Sequence, residues 1–137
     1  MNAAAAPDAL PLRGSPSAAD GGARGARTAP ASPARTRIKI CGLTREQDVD
    51  AAVAAGADAV GFVLYAPSPR AVTPERAAQL ARRLPAFVTP VLLFVNEDAP
   101  KVIASSSMVP GAIIQFHGDE SAAQCLAATG GGQRPFL

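Results

Sequence analysis

The chain has 137 residues, 48% of them hydrophobic and 4% aromatic, and a formal net charge of +2; this length suits one domain rather than two. No apolar run approaches the ~18 residues of a membrane-spanning helix, which argues against a membrane partner. One histidine and two cysteines cannot form a closed Cys/His zinc site, and Cys41 and Cys125 lie too far apart for a C-x-x-C redox pair. We therefore expect reduced thiols and a cytoplasmic location.

Residues 1–35 differ in composition from the rest of the chain. Ala, Pro, Gly and Ser make up 24 of these 35 residues, and Val, Ile, Phe and Tyr are absent. Such a segment buries too little apolar surface to offset its conformational entropy, so we expect a disordered extension, with a transit peptide as the alternative. The extension holds four Arg and two Asp, which leaves nine basic and nine acidic residues in 36–137. This balance gives no support for a nucleic-acid partner.

From Thr36 onward, β-branched runs alternate with stretches of helical periodicity. The predicted strands cover residues 37–41, 59–65, 87–95 and 112–116, and a fifth strand is expected to start at 135–137. The predicted helices cover residues 44–56, 73–84, 99–107 and 119–128. Residues 36–137 therefore form one domain of four strand–helix units.

Local signals mark where each helix begins. Thr44 is followed by a glutamine at the spacing of a capping box, and Thr73 precedes a proline that suits the first helical position. We expect Asn96 to cap the third helix, and Asp119, Glu120 and Ser121 to lead into the fourth, with the two acids serving as caps.

Strands that are apolar on both faces and alternate with helices predict a parallel sheet with right-handed crossovers. An open doubly wound sheet and part of a (βα)8 TIM barrel both fit this pattern. The first strand–helix turn reads CGLT at 41–44, which is neither a G-x-G-x-x-G motif nor a P-loop. We therefore favour the α/β class as an incomplete (βα)8 barrel, whose chemistry belongs at the carboxyl ends of the strands.

The ends of the first and fourth strands hold the candidate functional side chains. Lys39 and Cys41 alternate onto the face that would point into a barrel, and an ammonium and a helix N-terminus near a thiol favour the thiolate. The alternative is that Cys41 is a small buried hydrophobe. Gln115 and His117 share a face in the same way, and the alternative for His117 is a structural, hydrogen-bonded histidine.

Arg70 follows the second strand on a loop that two prolines stiffen. Its guanidinium suits a bidentate grip on a carboxylate, and a solvated loop arginine is the alternative. We expect no metal site at His117, Asp119 and Glu120, because adjacent acids diverge. Cys125 is expected to pack within the fourth helix.

Five motifs stand in a fixed order along residues 37–137. They are KICGLT at 39–44, GADAVGF at 56–62, SPR at 68–70, LFVN at 93–96 and QFHGDES at 115–121. Together they resemble the N-terminal half of the phosphoribosylanthranilate isomerases. The resemblance implies a cofactor-free (βα)8 barrel of tryptophan biosynthesis. Its small, phosphorylated substrate, N-(5-phosphoribosyl)anthranilate, undergoes an Amadori rearrangement to 1-(2-carboxyphenylamino)-1-deoxyribulose 5-phosphate.

The resemblance also implies a role for each candidate residue. Cys41 would be the general base that removes the proton from C2 of the sugar, and Arg70 would hold the anthranilate carboxylate. Gln115 and His117 would line the pocket, with Lys39 in support. The family's general acid, an aspartate on the strand-six side, and its glycine-rich phosphate loops belong to the half that the resemblance does not cover.

We therefore expect a truncated product or fragment that has no turnover alone. The alternative is a non-catalytic half-barrel, either a decayed gene product or a piece that needs a complementing partner. Open edges at the first and fourth strands and an exposed apolar inner face would favour self-association.

Overall fold

Four strands alternate with four helices in the computed structural model, which describes residues 35–137. In chain order they are β1 (Lys39–Cys41), α1 (Glu46–Ala54), β2 (Ala59–Val63), α2 (Pro74–Ala81), β3 (Thr89–Phe94), α3 (Ala99–Ser107), β4 (Ile113–Phe116) and α4 (Ala122–Ala128). The predicted order and type of these elements are confirmed, and every strand is somewhat shorter than predicted. The predicted disordered extension lies outside the described residues, apart from Arg35.

The four strands form one parallel sheet in the order β1-β2-β3-β4. A doubly wound sheet reverses its strand order at a switch point, whereas a barrel adds each new strand beside the last. The sequential order therefore agrees with a segment of a (βα)8 barrel. None of the helices within residues 35–137 is long and apolar enough to cross a bilayer.

The edge of β4 is paired, contrary to prediction. Residues 135–137 lie beside it, where Ile114 N donates to Pro135 O at 3.0 Å and Leu137 N donates to Ile114 O at 2.8 Å. A parallel bridge joins Ile114 to Phe136. The expected start of a fifth strand is therefore confirmed, and the expectation of an open β4 edge is wrong because this segment covers it.

The outer face of the sheet packs against the helices and forms the core. Val60 and Phe62 of β2, Leu92 and Phe94 of β3, and Ile114 of β4 are fully buried there. The helices contribute Val49, Ala52, Ala77, Leu80 and Val102 to the same cluster. This packing fixes the direction of each strand and so aims the alternate side chains at the opposite, concave face.

On the concave face the apolar side chains of β2 and β3 are buried, so the expectation of an exposed apolar inner face is wrong for these two strands. Val63, Val91 and Leu93 are only 4%, 1% and 8% exposed. The sheet curves enough for Lys39 of β1 to hydrogen-bond to Gln115 of β4, although β2 and β3 lie between these strands. The curvature brings polar side chains over the apolar ones.

Two of the predicted N-caps are wrong, although α3 begins at Ala99 as predicted. The N-cap of α1 is Arg45 rather than Thr44, and no side chain caps the helix; Arg45 instead pairs with Asp48 in the first turn. The N-cap of α3 is Asp98 rather than Asn96, which adopts a positive φ of 52° two residues earlier. In both cases, contacts formed by the folded chain replace the local signal.

The other two helices have side-chain caps. Thr73 accepts a hydrogen bond from Arg76 N at the start of α2, as predicted. At α4 the cap is Ser121, which forms a capping box with Gln124. Of the expected leading segment 119–121, only Ser121 therefore caps α4; the expected capping by Asp119 and Glu120 is wrong, which leaves Glu120 free for another role.

Candidate active site

A cavity of about 580 Å³ opens on the concave face, at the carboxyl ends of the strands. The five residues singled out in the sequence all line it, namely Lys39, Cys41, Arg70, Gln115 and His117. The remaining lining residues are Val63, Tyr65, Ser68, Leu93 and Val95. No carboxyl group belongs to this lining within the described part of the chain.

Cys41 ends β1 and lies beside Gly61 of β2. The two residues are register partners, and a Cβ atom built on Gly61 would lie only 2.6 Å from Cys41 Sγ. The missing side chain of Gly61 therefore provides the space that the thiol occupies. No role for Gly61 was predicted from the sequence, although a lone glycine inside a strand can indicate such a close approach.

Lys39 and Gln115 connect the two sides of the cavity. Lys39 Nζ donates a hydrogen bond to Gln115 Oε1 at 2.5 Å. An ammonium group only donates, so it holds the amide oxygen of Gln115 and leaves the amide nitrogen as the donor available to a ligand. The contact thus orients Gln115 within the cavity.

Arg70 lies against the backbone of the loop that follows Cys41. Its Nη1 donates to the carbonyl oxygen of Cys41 at 3.1 Å, and a Cβ atom on Gly42 would lie 2.6 Å from the same nitrogen. Gly42 also has a φ of +85°, which disfavours any other residue there. Ser68 Oγ accepts a hydrogen bond from Arg70 N at 3.2 Å and steadies the loop.

The guanidinium of Arg70 keeps most of its donors. No Asp or Glu of residues 35–137 forms a salt bridge with it, and its side chain is exposed. The residue is therefore neither a fully solvated loop arginine nor a committed ion-pair partner. It is anchored beside Cys41 with hydrogen-bond donors left over.

His117 directly follows β4 and continues its ladder, since His117 N donates to Phe94 O at 3.0 Å. The next turn is held by Glu120, whose two carboxylate oxygens accept from Asn96 N at 2.6 Å and Gly118 N at 2.8 Å. Asn96 Oδ1 in turn accepts from Asp119 N at 2.8 Å. This network was not predicted from the sequence, because local spacing does not reveal that the two loops meet.

Neither a metal site nor Cys125 contributes to the cavity in the described part of the chain. Across residues 35–137, no three His, Cys, Asp or Glu side chains are grouped so that they could hold a metal ion. Cys125 is a half-buried, free thiol on α4 and does not line the cavity.

An ion pair supports the loop behind Cys41. Arg76 of α2 donates to both carboxylate oxygens of Glu46 on α1, at 2.5 and 2.8 Å, and its Nη2 also donates to Thr44 O at 3.2 Å. The hydrogen bonds from Arg76 lower the pKa of Glu46 from 4.5 to about 2. Arg83, two residues past the end of α2, forms a second pair with Asp50 of α1. The Arg76 contacts tie the loop after β1 to α2.

Comparison with known proteins adds an independent line of argument. A family model described as N-(5'phosphoribosyl)anthranilate (PRA) isomerase matches residues 38–131. Two relatives named N-(5'-phosphoribosyl)anthranilate isomerase, from Methylibium petroleiphilum and Dechloromonas aromatica, are 63% and 65% identical over 103 residues. Each alignment covers 75% of this chain, and 46% and 48% of the respective relative. The chain thus spans about half the length of the curated relatives it matches.

Solved structures give the same result. Phosphoribosyl anthranilate isomerase from Thermotoga maritima is 40% identical with a TM-score of 0.68, and the match covers 74% of this chain and 48% of that one. A second isomerase structure, in complex with reduced 1-(o-carboxyphenylamino)-1-deoxyribulose 5-phosphate, is 43% identical with a TM-score of 0.64. That match covers 66% of this chain and 47% of the other.

Proposed function

Because the chain belongs to the N-(5'-phosphoribosyl)anthranilate isomerase family, we propose that it provides the general-base side of that family's active site. The proposed reaction is the rearrangement of N-(5-phosphoribosyl)anthranilate to 1-(2-carboxyphenylamino)-1-deoxyribulose 5-phosphate. The observation that carries the proposal is the meeting of Cys41, Arg70, Gln115 and His117 in one cavity at the strand ends.

The reaction needs an acid first and a base second. Protonation of the ribose ring oxygen opens the ring, and the nitrogen lone pair forms an iminium at C1. The Cys41 thiolate then takes the proton from C2, and the electrons of that C–H bond form the C1–C2 double bond of an enolamine. Protonation at C1 and loss of the O2 proton give the ketone, so the reaction is a net isomerisation.

The position of Cys41 supports its role as this base. The thiol is half-buried at the end of β1, opposite a glycine that leaves it room, and it lines the cavity rather than the apolar core. This location argues against the alternative of a small buried hydrophobe.

Arg70 is the proposed partner of the anthranilate carboxylate. Its contact with the Cys41 carbonyl fixes the guanidinium next to the thiol, and its remaining N–H groups can form the two parallel bonds that a carboxylate accepts. A substrate held there by its carboxylate places its sugar close to the base. Gln115 and His117 complete the pocket from the β4 side, with Lys39 orienting Gln115.

We further propose that the two outer strands mediate association. Within residues 35–137, β1 has a partner on one side only, and Ile38 and Ile40 are 48% and 39% exposed. On the opposite side, Phe136 and Leu137 are 39% and 64% exposed. Pairing of these edges with a second copy or with a complementing half-barrel would bury this apolar surface.

We also propose a reducing, cytoplasmic location, which the free thiols of Cys41 and Cys125 support.

The proposal is tested by ligand binding to the 137-residue chain. His117 is the sole histidine, so its imidazole resonance in a 1H–13C NMR spectrum needs no further assignment. Titration with reduced 1-(o-carboxyphenylamino)-1-deoxyribulose 5-phosphate should shift this resonance saturably. Loss of a charge-assisted, bidentate contact in Arg70→Ala should weaken binding by about tenfold or more.

The matched control is Arg82→Ala, which removes an exposed arginine outside the cavity. It should bind the ligand as the parent does. An unmoved His117 resonance in the parent, or equal affinity in the parent and Arg70→Ala, would contradict the proposed function.

A further inference from the structure

The two loops beside His117 are joined by an arrangement whose function the reaction does not explain. The loop after β3 contains Asn96, and the loop after β4 contains Gly118, Asp119 and Glu120. Glu120 accepts one backbone hydrogen bond from each loop, through its two separate oxygens. Asn96 returns a third bond by accepting from Asp119 N. We refer to these four residues as the loop clamp.

The clamp places tight limits on the backbone around it. Asn96 adopts a φ of 52°, and no other non-glycine residue of the described 35–137 segment has a positive φ. A Cβ atom on Gly118 would lie 2.5 Å from Asn96 Oδ1 and 3.0 Å from Asn96 N. Position 118 therefore has no room for a side chain while the clamp is formed.

Helix capping does not explain the hydrogen bonds that the Glu120 carboxylate accepts. Ser121 and Gln124 already satisfy the first turn of α4 through a reciprocal capping box. The carboxylate of Glu120 instead turns back toward β3 and β4, where it accepts two backbone N–H groups. Bonds from backbone N–H groups to a charged carboxylate are stronger than bonds between neutral groups, so they can hold two otherwise separate loops together.

His117 lies directly between β4 and the clamp. Its own N–H is fixed to Phe94 of β3, and the next N–H along the chain, that of Gly118, is fixed to Glu120. With both neighbouring peptide groups held, the direction of the His117 Cα–Cβ bond into the cavity is set. We propose that Glu120, supported by Asn96, is a positioning residue that aims the His117 imidazole into the substrate cavity, an inference that rests on the proposed function.

The test reads the clamp and the imidazole separately in the ligand-free, full-length chain. Glu120→Gln replaces one acceptor oxygen by an NH2 group that faces a backbone donor. We expect the Asn96 and Gly118 amides to exchange with deuterium at least about tenfold faster. The His117 imidazole resonance should shift at the same time, while the circular dichroism spectrum stays that of the parent.

Asp119→Asn is the matched control, because it changes the charge of the neighbouring acid, whose side chain has no hydrogen bond among the described residues. It should leave both the exchange rates and the imidazole resonance unchanged. Gly118→Ala is a second route to the same end, since its methyl group would displace Asn96. It should shift the His117 resonance as Glu120→Gln does, and it decides the outcome if Glu120→Gln does not fold.

Faster exchange at Asn96 and Gly118 with an unmoved His117 resonance would overturn the proposal, because Glu120 would then hold the loops without aiming the imidazole. Failure of the reduced product analogue to shift His117 in the parent is a different result. It would contradict the proposed function while leaving the measured effect of Glu120 on His117 in place.

Discussion

At the scale of single residues, two glycines shape the site because they carry no side chain. Gly61 provides the space for the Cys41 thiol, and Gly42 lets the Arg70 side chain lie on the backbone. Neither glycine carries chemistry of its own, yet each sets where a functional group can be. Side chains at these positions would therefore displace Cys41 or Arg70 and also cost stability.

Gly61→Ala tests this coupling. Its methyl group would meet Cys41 Sγ at 2.6 Å, and such overpacking costs ~1–3 kcal/mol of stability. The cost should fall in a Cys41→Ala background, where the sulfur is absent. Urea unfolding of the parent, both single variants and the double variant measures the interaction energy directly. Equal costs of Gly61→Ala in the two backgrounds would show that the thiol does not occupy this space.

At the scale of elements, α1 and α2 are joined by ion pairs that also hold the loop after β1. Glu46 and Arg76 form the pair nearest the site, and Asp50 of α1 pairs with Arg83, which lies just past the end of α2. Hydrogen bonds from Arg83 lower the pKa of Asp50 as well. Since both carboxyl groups have lowered pKa values, the link between the helices weakens in acid.

The pH dependence follows from Glu46, whose pKa falls from 4.5 in its ordinary state to about 2 in the folded chain. Its contribution to stability is complete above the unfolded value and is lost as the pH falls from about 5 towards 2. In Glu46→Gln the thermal midpoint should therefore decrease less steeply over this interval than in the parent. Gln47→Ala is the control, because it removes an exposed side chain next to Glu46 without changing any titratable group, and it should keep the slope of the parent. Parallel curves for Glu46→Gln and the parent would contradict the assignment.

The elements illustrate what sequence can predict. Periodicity identified every strand and helix, and Thr73 with its following proline located the start of α2. Alternation along β1 and β4 was enough to place Cys41 and His117 in one cavity. Thr44 and Asn96 were assigned incorrectly as caps because the folded chain uses these segments for contacts with distant residues. The loop clamp joins residues of two loops that lie 24 positions apart, so no local sequence pattern predicts it.

At the scale of the whole molecule, the sheet formed within residues 35–137 is curved but does not close. Four parallel strands and the 135–137 segment leave apolar residues exposed at the two outer edges. On the inner face, by contrast, the apolar side chains of β2 and β3 are buried. Association should therefore take place through the edges rather than through the cavity.

Substitution of Ile40 by Glu tests the role of the β1 edge. A charged group on this edge opposes strand pairing, so we expect light scattering to report a lower mean mass for Ile40→Glu than for the parent. Phe87→Ser is the control, because Phe87 is 97% exposed but lies outside the strands. A parent that is monomeric at all concentrations would refute edge association, as would equal masses for the parent and Ile40→Glu.

The central claim is that Cys41 is the general base, and turnover in a completed barrel tests it most directly. The 137-residue chain is mixed with the C-terminal half of a similar isomerase, and consumption of the anthranilate adduct is followed by fluorescence. The chain alone should show no turnover, because its described cavity lining offers no carboxyl group as the acid. In the mixture, Cys41→Ala should lower the rate by ~100- to 10,000-fold, the usual contribution of a positioned base, whereas the control Cys125→Ala should match the parent. A Cys41→Ala rate within a few-fold of the parent would contradict the account.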